Sequence, residues 1–269
     1  MISIDMLVSK ALKECEFAKT MKQANQFEQM KEHFAIALDC IQVIKKSLEK
    51  NLEKLSEWIQ LELFIIKELK NYHLHPISDT EFYKCMNHSV FSISNGNVAG
   101  TCFLVFKKGN EYYFVTNKHV VSSNSNCFIQ DTSQNINING KVICCDEIND
   151  LALVKVKYTN KDFPLVPVHF ADLECLTEGM KINIIGNRSG LKLSFISGYV
   201  SSFLKNKILM SITTEHGTSG SAIFDQYGSV IGINCGDIAE VPFALNGVVI
   251  IKFLMDNGIR VILQKQVKY

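Results

Sequence analysis

The spacing of apolar residues changes character near residue 76, and that change divides the chain. Upstream, apolar side chains recur at Phe34, Leu38, Ile41, Ile44, Leu48, Leu52, Leu55, Ile59, Phe64 and Ile66. Steps of three or four, with one of five and a last one of two, describe a helical stripe. An earlier stripe runs through Leu7, Ala11, Cys15, Ala18 and Met21, and the polar stretch 22–29 separates the two. Residues 1–75 hold no glycine and no proline, and Glu49, Glu53, Lys45, Lys46 and Lys50 fall at distances suited to i,i+4 pairing. The pattern predicts two or three helices in a hairpin or small bundle; the stripe is wider than a strict heptad seam.

Pro76 is the first proline, and the stretch 71–88 reads as a helix stop and linker, placed at 76–88. From residue 89 onwards the apolar runs are strand-length: SVFSIS, TCFLVF, EYYFVT, KVICC, LALVKV, KINIIG, FISGYVSS, ILMSIT, SAIF, SVIGIN and LNGVVI. Turn-forming groups such as KKGN, SSNSN, NINING, GNRSG and FDQYG separate many of them. Many short strands between glycine and asparagine turns predict an all-β sandwich or barrel over 89–269. A short helix at 251–256 and a tail follow.

Composition narrows the function. The 269 residues carry 28 basic and 27 acidic side chains, a formal net charge of +1. Only Arg188 and Arg260 are arginines. No basic field or arginine fork favours nucleic acid, and no apolar stretch reaches membrane-spanning length. The N-terminus lacks the basic, apolar and small-residue succession of a secretory leader, and the nine scattered cysteines suit reduced thiols, so the expected setting is cytoplasmic. Histidine and cysteine never cluster at ligand spacing, so neither a metal nor a cofactor is expected.

Candidate chemistry begins at HGTSGSAIFD, residues 216–225, where Ser219 stands between Gly217 and Gly220. Such glycines mark either a plain turn or a nucleophile whose neighbouring N–H groups must face substrate. The seven histidines are His33, His73, His75, His88, His119, His169 and His216, and none follows Ser219. That excludes the α/β-hydrolase order and leaves His, Asp, Ser. His119, just after the strand YYFVT, is the best base; His169 lies among apolar residues and reads as structural. Asp150, at the head of LALVKV, is the candidate carboxylate, with Asp146 in competition and a simple Asn-Asp turn as the plain alternative.

Residues 98–256 resemble the trypsin-like serine proteases of the chymotrypsin fold, closest to the HtrA/Deg and glutamyl endopeptidase branch. The likeness runs in order through GTCFLVF, FVTNKHVV, NDLALVKV, IGNRSGLKLSFISGYVSS, HGTSGSAIFDQYGSVIGIN and PFAL. It implies a mainly β architecture: two six-stranded antiparallel barrels, preceded here by the helical segment. It implies that Ser219 attacks a peptide carbonyl, His119 moves the proton and Asp150 orients the imidazole, with the N–H groups of Gly217 and Ser219 as oxyanion hole. It places Thr213, Thr214, Asn234, Cys235, Gly236 and Phe243 around the substrate pocket. Thr218 stands where digestive relatives carry an aspartate that pairs with a freshly cut N-terminus, so activation of that kind is not expected. Without an aspartate at the pocket base, a small or apolar P1 residue is expected first, and Gln or Glu second. With Tyr269 ending the sequence, no PDZ domain is expected to follow.

The resemblance therefore implies a serine endopeptidase acting on protein or peptide. Residues 1–75 are expected to gate or target it, through an activating partner or through homo-oligomerisation. The alternative is a catalytically silent pseudoprotease that binds peptides or a partner.

Overall fold

The computed structural model describes residues 4–23, 27–47, 57–62, 64–65, 76–96, 98–121, 126–131, 137–159, 165–188 and 193–264. The chain divides into two compact units between Ile77 and Ser78.

The first unit is helical. Helices α1 (Ile4–Gln23) and α2 (Phe27–Ser47) pack together, and residues 57–62 and 64–65 are also helical. Its core joins Ala11, Cys15 and Ala18 of α1 to Phe34, Ala37, Ile41 and Ile44 of α2. Small residues on α1 allow the close approach, and the larger side chains of α2 fill it. Among the described residues beyond α2 the expected stripe is only partly followed. Ile59 and Phe64 are each 37% exposed, whereas Ile65 is buried, so the buried face of the third helical stretch is out of phase with α2. Leu48, Leu52, Leu55 and Ile66 lie outside the described residues, as do Glu49, Lys50 and Glu53. Lys45 pairs across the unit with Glu62 at 2.5 Å.

The second unit is two antiparallel barrels. Strands β1 (Val90–Ser94), β2 (Ala99–Lys108), β3 (Glu111–Asn117), β4 (Asn126–Gln130), β5 (Asn137–Asp146) and β6 (Leu151–Lys157) close in the order β1-β2-β3-β6-β5-β4. Phe91, Ile93, Leu104, Phe114, Ile129 and Val154 fill this barrel; β4 alternates buried and exposed, as a half-buried strand should. The second barrel comprises β8 (Lys181–Asn187), β9 (Leu193–Leu204), β10 (Lys207–Met210), β11 (Ala222–Asp225), β12 (Val230–Ile238) and β13 (Val241–Asn246). It runs β11-β8-β9-β10-β13-β12 and closes through β11–β12 pairing. Ile184, Val200, Ile208, Ile223 and Ile231 form its centre. Two short strands, β7 (Phe170–Ala171) and β14 (Leu263–Gln264), extend its edge.

Three expectations need correction. The stretch 76–88 is not simply a linker: Ser78 caps helix α3 (Asp79–Met86), its side chain accepting from the Glu81 N–H. Phe82 and Met86, one turn apart, are buried, and Phe82 stacks edge-on against Phe224 of β11 at 5.2 Å. Helix α3 thus belongs to the β unit. NINING is not wholly a turn, because β5 starts at Asn137. LNGVVI is not a strand: β13 stops at Asn246, whose side chain accepts from the Val248 N–H at 2.9 Å and opens helix α4 (Gly247–Asp256). Replacing Asn246 with alanine is expected to lower stability by about 1 kcal/mol, measured by urea denaturation.

Candidate active site

His119 owes its position to the end of β3. The strand stops at Asn117, and a single tight helical turn, Lys118–Val120, follows. Val120 is buried and anchors the turn, which leaves the His119 side chain 46% exposed. Asp150 sits at the end of the turn that leads into β6, with φ +54°, a left-handed conformation that aspartate tolerates better than most residues. The β3–β6 register opposes Asn117 to Leu151 and so brings His119 beside Asp150. Asp150 Oδ1 accepts the His119 backbone N–H at 2.9 Å, and Oδ2 lies 2.5 Å from Nδ1. The Asp150 carbonyl accepts from the Lys118 N–H and from Asn117 Nδ2, at 3.0 and 3.1 Å.

Asp146 has a different task. Its carboxylate accepts from the N–H groups of Ile148 and Asn149 and from Asn149 Nδ2, at 2.9, 3.0 and 2.7 Å. Burial alone would raise its pKa, but these hydrogen bonds outweigh burial and hold it below the ordinary value. Asp146 builds the turn; Asp150 faces the imidazole.

Ser219 lies on a loop with two glycines at positive φ, Gly217 at +93° and Gly220 at +83°. A turn precedes the serine: the Thr218 N–H and hydroxyl both donate to the Glu215 carbonyl, at 3.0 and 2.7 Å. The loop is tied to both barrels. From β2, the Thr101 N–H donates to the Ser219 carbonyl and the Thr101 hydroxyl to the Gly217 carbonyl, each at 2.9 Å. From β12, Asn234 accepts the Gly220 N–H at 2.9 Å and donates through Nδ2 to the Thr218 carbonyl at 3.0 Å.

A Cβ added at Gly100 would lie 2.6 Å from a Val120 methyl and 3.0 Å from the Ser219 carbonyl oxygen. The histidine turn and the serine loop therefore meet at one point on β2. The N–H groups of Gly217 and Ser219 find no acceptor among the described residues. Ser219 Oγ likewise makes no hydrogen bond there, so the bond to His119 that proton transfer needs is not formed in this state.

The six residues placed around the substrate pocket separate. Thr214 and Gly236 line a cavity of about 470 Å³ together with Ser219, Glu215, His216 and Asp237. Cys235 and Phe243 line a second cavity, of about 550 Å³, beside Asp150. Asn234 is fully buried behind the serine loop, and Thr213 is exposed and lines neither cavity. Burial pushes the Cys235 thiol up to about 11, against a weaker opposing hydrogen bond from Asn117; at neutral pH it is a thiol, not a thiolate. Two residues of this region, Thr101 and Asp237, escaped the sequence reading. Among the described residues no group of three or more His, Cys, Asp or Glu could hold a metal ion. None of the described helices is long and apolar enough to cross a membrane.

Comparison with known proteins agrees with this architecture. Residues 100–233 match the family described as trypsin-like peptidase domain. A "Serine protease HtrA-like" of Staphylococcus aureus strain bovine RF122 is 29% identical over 155 residues, covering 51% of this chain and 20% of that protein. The "Periplasmic pH-dependent serine endoprotease DegQ" of Escherichia coli K12 is 29% identical over 136 residues, 47% of this chain and 29% of that one. This chain thus spans less than a third of either relative's length. Among solved structures, a serine endoprotease from Yersinia pestis superposes with a TM-score of 0.57 at 22% identity, covering 68% of this chain and 67% of the other. An inactive serine-to-alanine mutant of an M. tuberculosis H37Rv protein gives 0.57 at 19% identity, covering 69% and 96%. At these identities the structures speak for the fold alone; residues 100–233 match the trypsin-like peptidase domain, and the chain, whose helical segment precedes that stretch in sequence, is similar there to HtrA-like serine proteases.

Proposed function

We propose that this protein is a serine endopeptidase in which Ser219, His119 and Asp150 act as nucleophile, general base and orienting carboxylate. The observation that carries the reading is the pair of hydrogen bonds from Asp150 to the His119 backbone and Nδ1. With Nδ1–H donated to the carboxylate, Nε2 is left as the acceptor that can take the serine proton and later return it to the leaving amine. The carboxylate also stabilises the imidazolium that forms. The unpartnered N–H groups of Gly217 and Ser219 supply donors for the oxyanion of the tetrahedral intermediate. Among the described residues, Gly236, Asp237 and Ile238 of β12 pair with β13 on one edge only. The other edge can receive an extended peptide as an added strand.

The absence of a Ser219 hydrogen bond among the described residues fits a gated site, for which the helical segment 1–75 is the candidate regulator or targeting element. It equally fits the second reading, a silent pseudoprotease that binds peptides. Eight free thiols among the described residues support a reducing, cytoplasmic setting.

Labelling with a fluorophosphonate separates these readings. The full chain is expected to label at Ser219, and a chain starting at Ser78 is expected to label faster if the helices inhibit. Labelling of neither folded protein would overturn the endopeptidase reading in favour of peptide binding without turnover.

A further inference from the structure

The cavity that holds Ser219 has an unusual wall for an apolar or acidic substrate side chain. Its lining residues are polar or glycine throughout. No Val, Leu, Ile, Phe or Met is among its lining residues, so an aliphatic P1 side chain would meet threonine methyls and backbone rather than aliphatic side chains. The amide of Asn234, expected around the substrate pocket, is buried and its Nδ2 is committed to Thr218 Oγ1 and the Thr218 carbonyl, at 3.1 and 3.0 Å.

Two carboxylates face this cavity. Glu215 is paired with Arg188, whose hydrogen bond pulls its pKa down. Asp237 makes no ion pair among the described residues; its Oδ1 accepts from the Thr214 hydroxyl at 2.6 Å, which fixes the carboxylate against the cavity wall. Gly236 beside it, at φ +111°, has no described atom within 4 Å of where a Cβ would stand, so the wall is open at that position. No lysine lines the cavity. No aspartate was expected at the pocket base; the charge arrives from β12, eighteen residues after Ser219.

We infer that Asp237, held by Thr214, makes this cavity a site for a cationic side chain, so that the protein recognises peptides with Lys or Arg at P1. A lysine ammonium or arginine guanidinium entering past Ser219 can donate to the free oxygen of Asp237 and to Thr214 Oγ1. A Glu side chain there meets an unneutralised like charge. The cleavage consequence rests on Ser219 being the nucleophile; the recognition itself does not.

Binding of benzamidine and of its neutral isostere benzamide to the full chain, measured by NMR titration, tests it. Benzamidine is expected to bind about five- to tenfold more tightly, the range of a hydrogen-bonded but solvent-accessible ion pair, with the margin shrinking at 1 M NaCl, where the Debye length falls to about 3 Å. Asp237→Asn is expected to remove the margin while keeping the Thr214 contact. Equal binding of the two ligands, no binding of benzamidine, or a margin that persists in Asp237→Asn would overturn the inference. A benzamidine preference in a protein that a fluorophosphonate fails to label would leave the inference standing and remove the endopeptidase reading instead.

Discussion

Ser219→Ala is expected to abolish fluorophosphonate labelling and to lower peptide hydrolysis by at least about 10⁴-fold, with folding unchanged. The side chain makes no hydrogen bond in this structure, and alanine occupies no more space, so stability by urea denaturation should match the parent. The rate falls because the remaining groups, the free N–H donors of Gly217 and Ser219 and the bound substrate geometry, can only assist attack by water. His119→Ala should produce a loss of similar size, and the double substitution should add little to either single one. That non-additivity is the signature of residues that act as a unit. If instead the two losses multiplied, or if Ser219→Ala retained hydrolysis, the serine and histidine would not share one step.

The parts of this site that sequence revealed are those set by local backbone. Ser219 was visible because a nucleophile with aimed N–H groups needs flanking glycines, and both glycines take positive φ. His119 was visible because it directly follows a strand-length apolar run. Asp150 was preferred to Asp146 for its place at the head of β6, but both are polar residues before that strand, and the hydrogen bonds separate turn-builder from imidazole partner. Thr101 and Asp237 left no local mark. Their roles come from β2 and β12 reaching the serine loop from far away in sequence, and Thr101 sits inside an apolar run where a threonine reads as one more strand residue.

One helix, and the first turn of another expected only from 251, were legible and were missed. SDTE at 78–81 has the spacing of a capping box, yet Pro76 drew attention to an ending rather than a beginning. In α4 the β-branched run Val248 to Ile251 suggested a strand. The buried positions Gly247, Ile250, Phe253 and Leu254 follow helical spacing instead, and Asn246 supplies the cap. Intrinsic β-propensity lost there to burial of one helical face, which is the usual outcome when propensity and packing disagree.

Gly220→Ala is expected to be the most damaging single methyl group in the β unit, lowering stability by at least about 3 kcal/mol and preventing labelling of Ser219. Two causes add. The residue sits at φ +83°, where an L side chain costs about 1–2 kcal/mol. The new Cβ would also lie 2.1 Å from the Thr101 carbonyl oxygen and 2.4 Å from Thr116 Oγ1, with the Asn117 N–H nitrogen at 3.3 Å. Thr101 cannot retreat without releasing Ser219 and Gly217, which it holds by its N–H and hydroxyl. Gly109 provides the control. It too has positive φ, +61°, but a Cβ there meets nothing within 4 Å, so Gly109→Ala should show only the conformational cost. The difference between the two substitutions, read by urea denaturation, therefore isolates the collision with β2. Equal losses would mean that the serine loop is free to move off β2, and the rigid aim of the Gly217 and Ser219 N–H groups would have to be set by something other than Thr101.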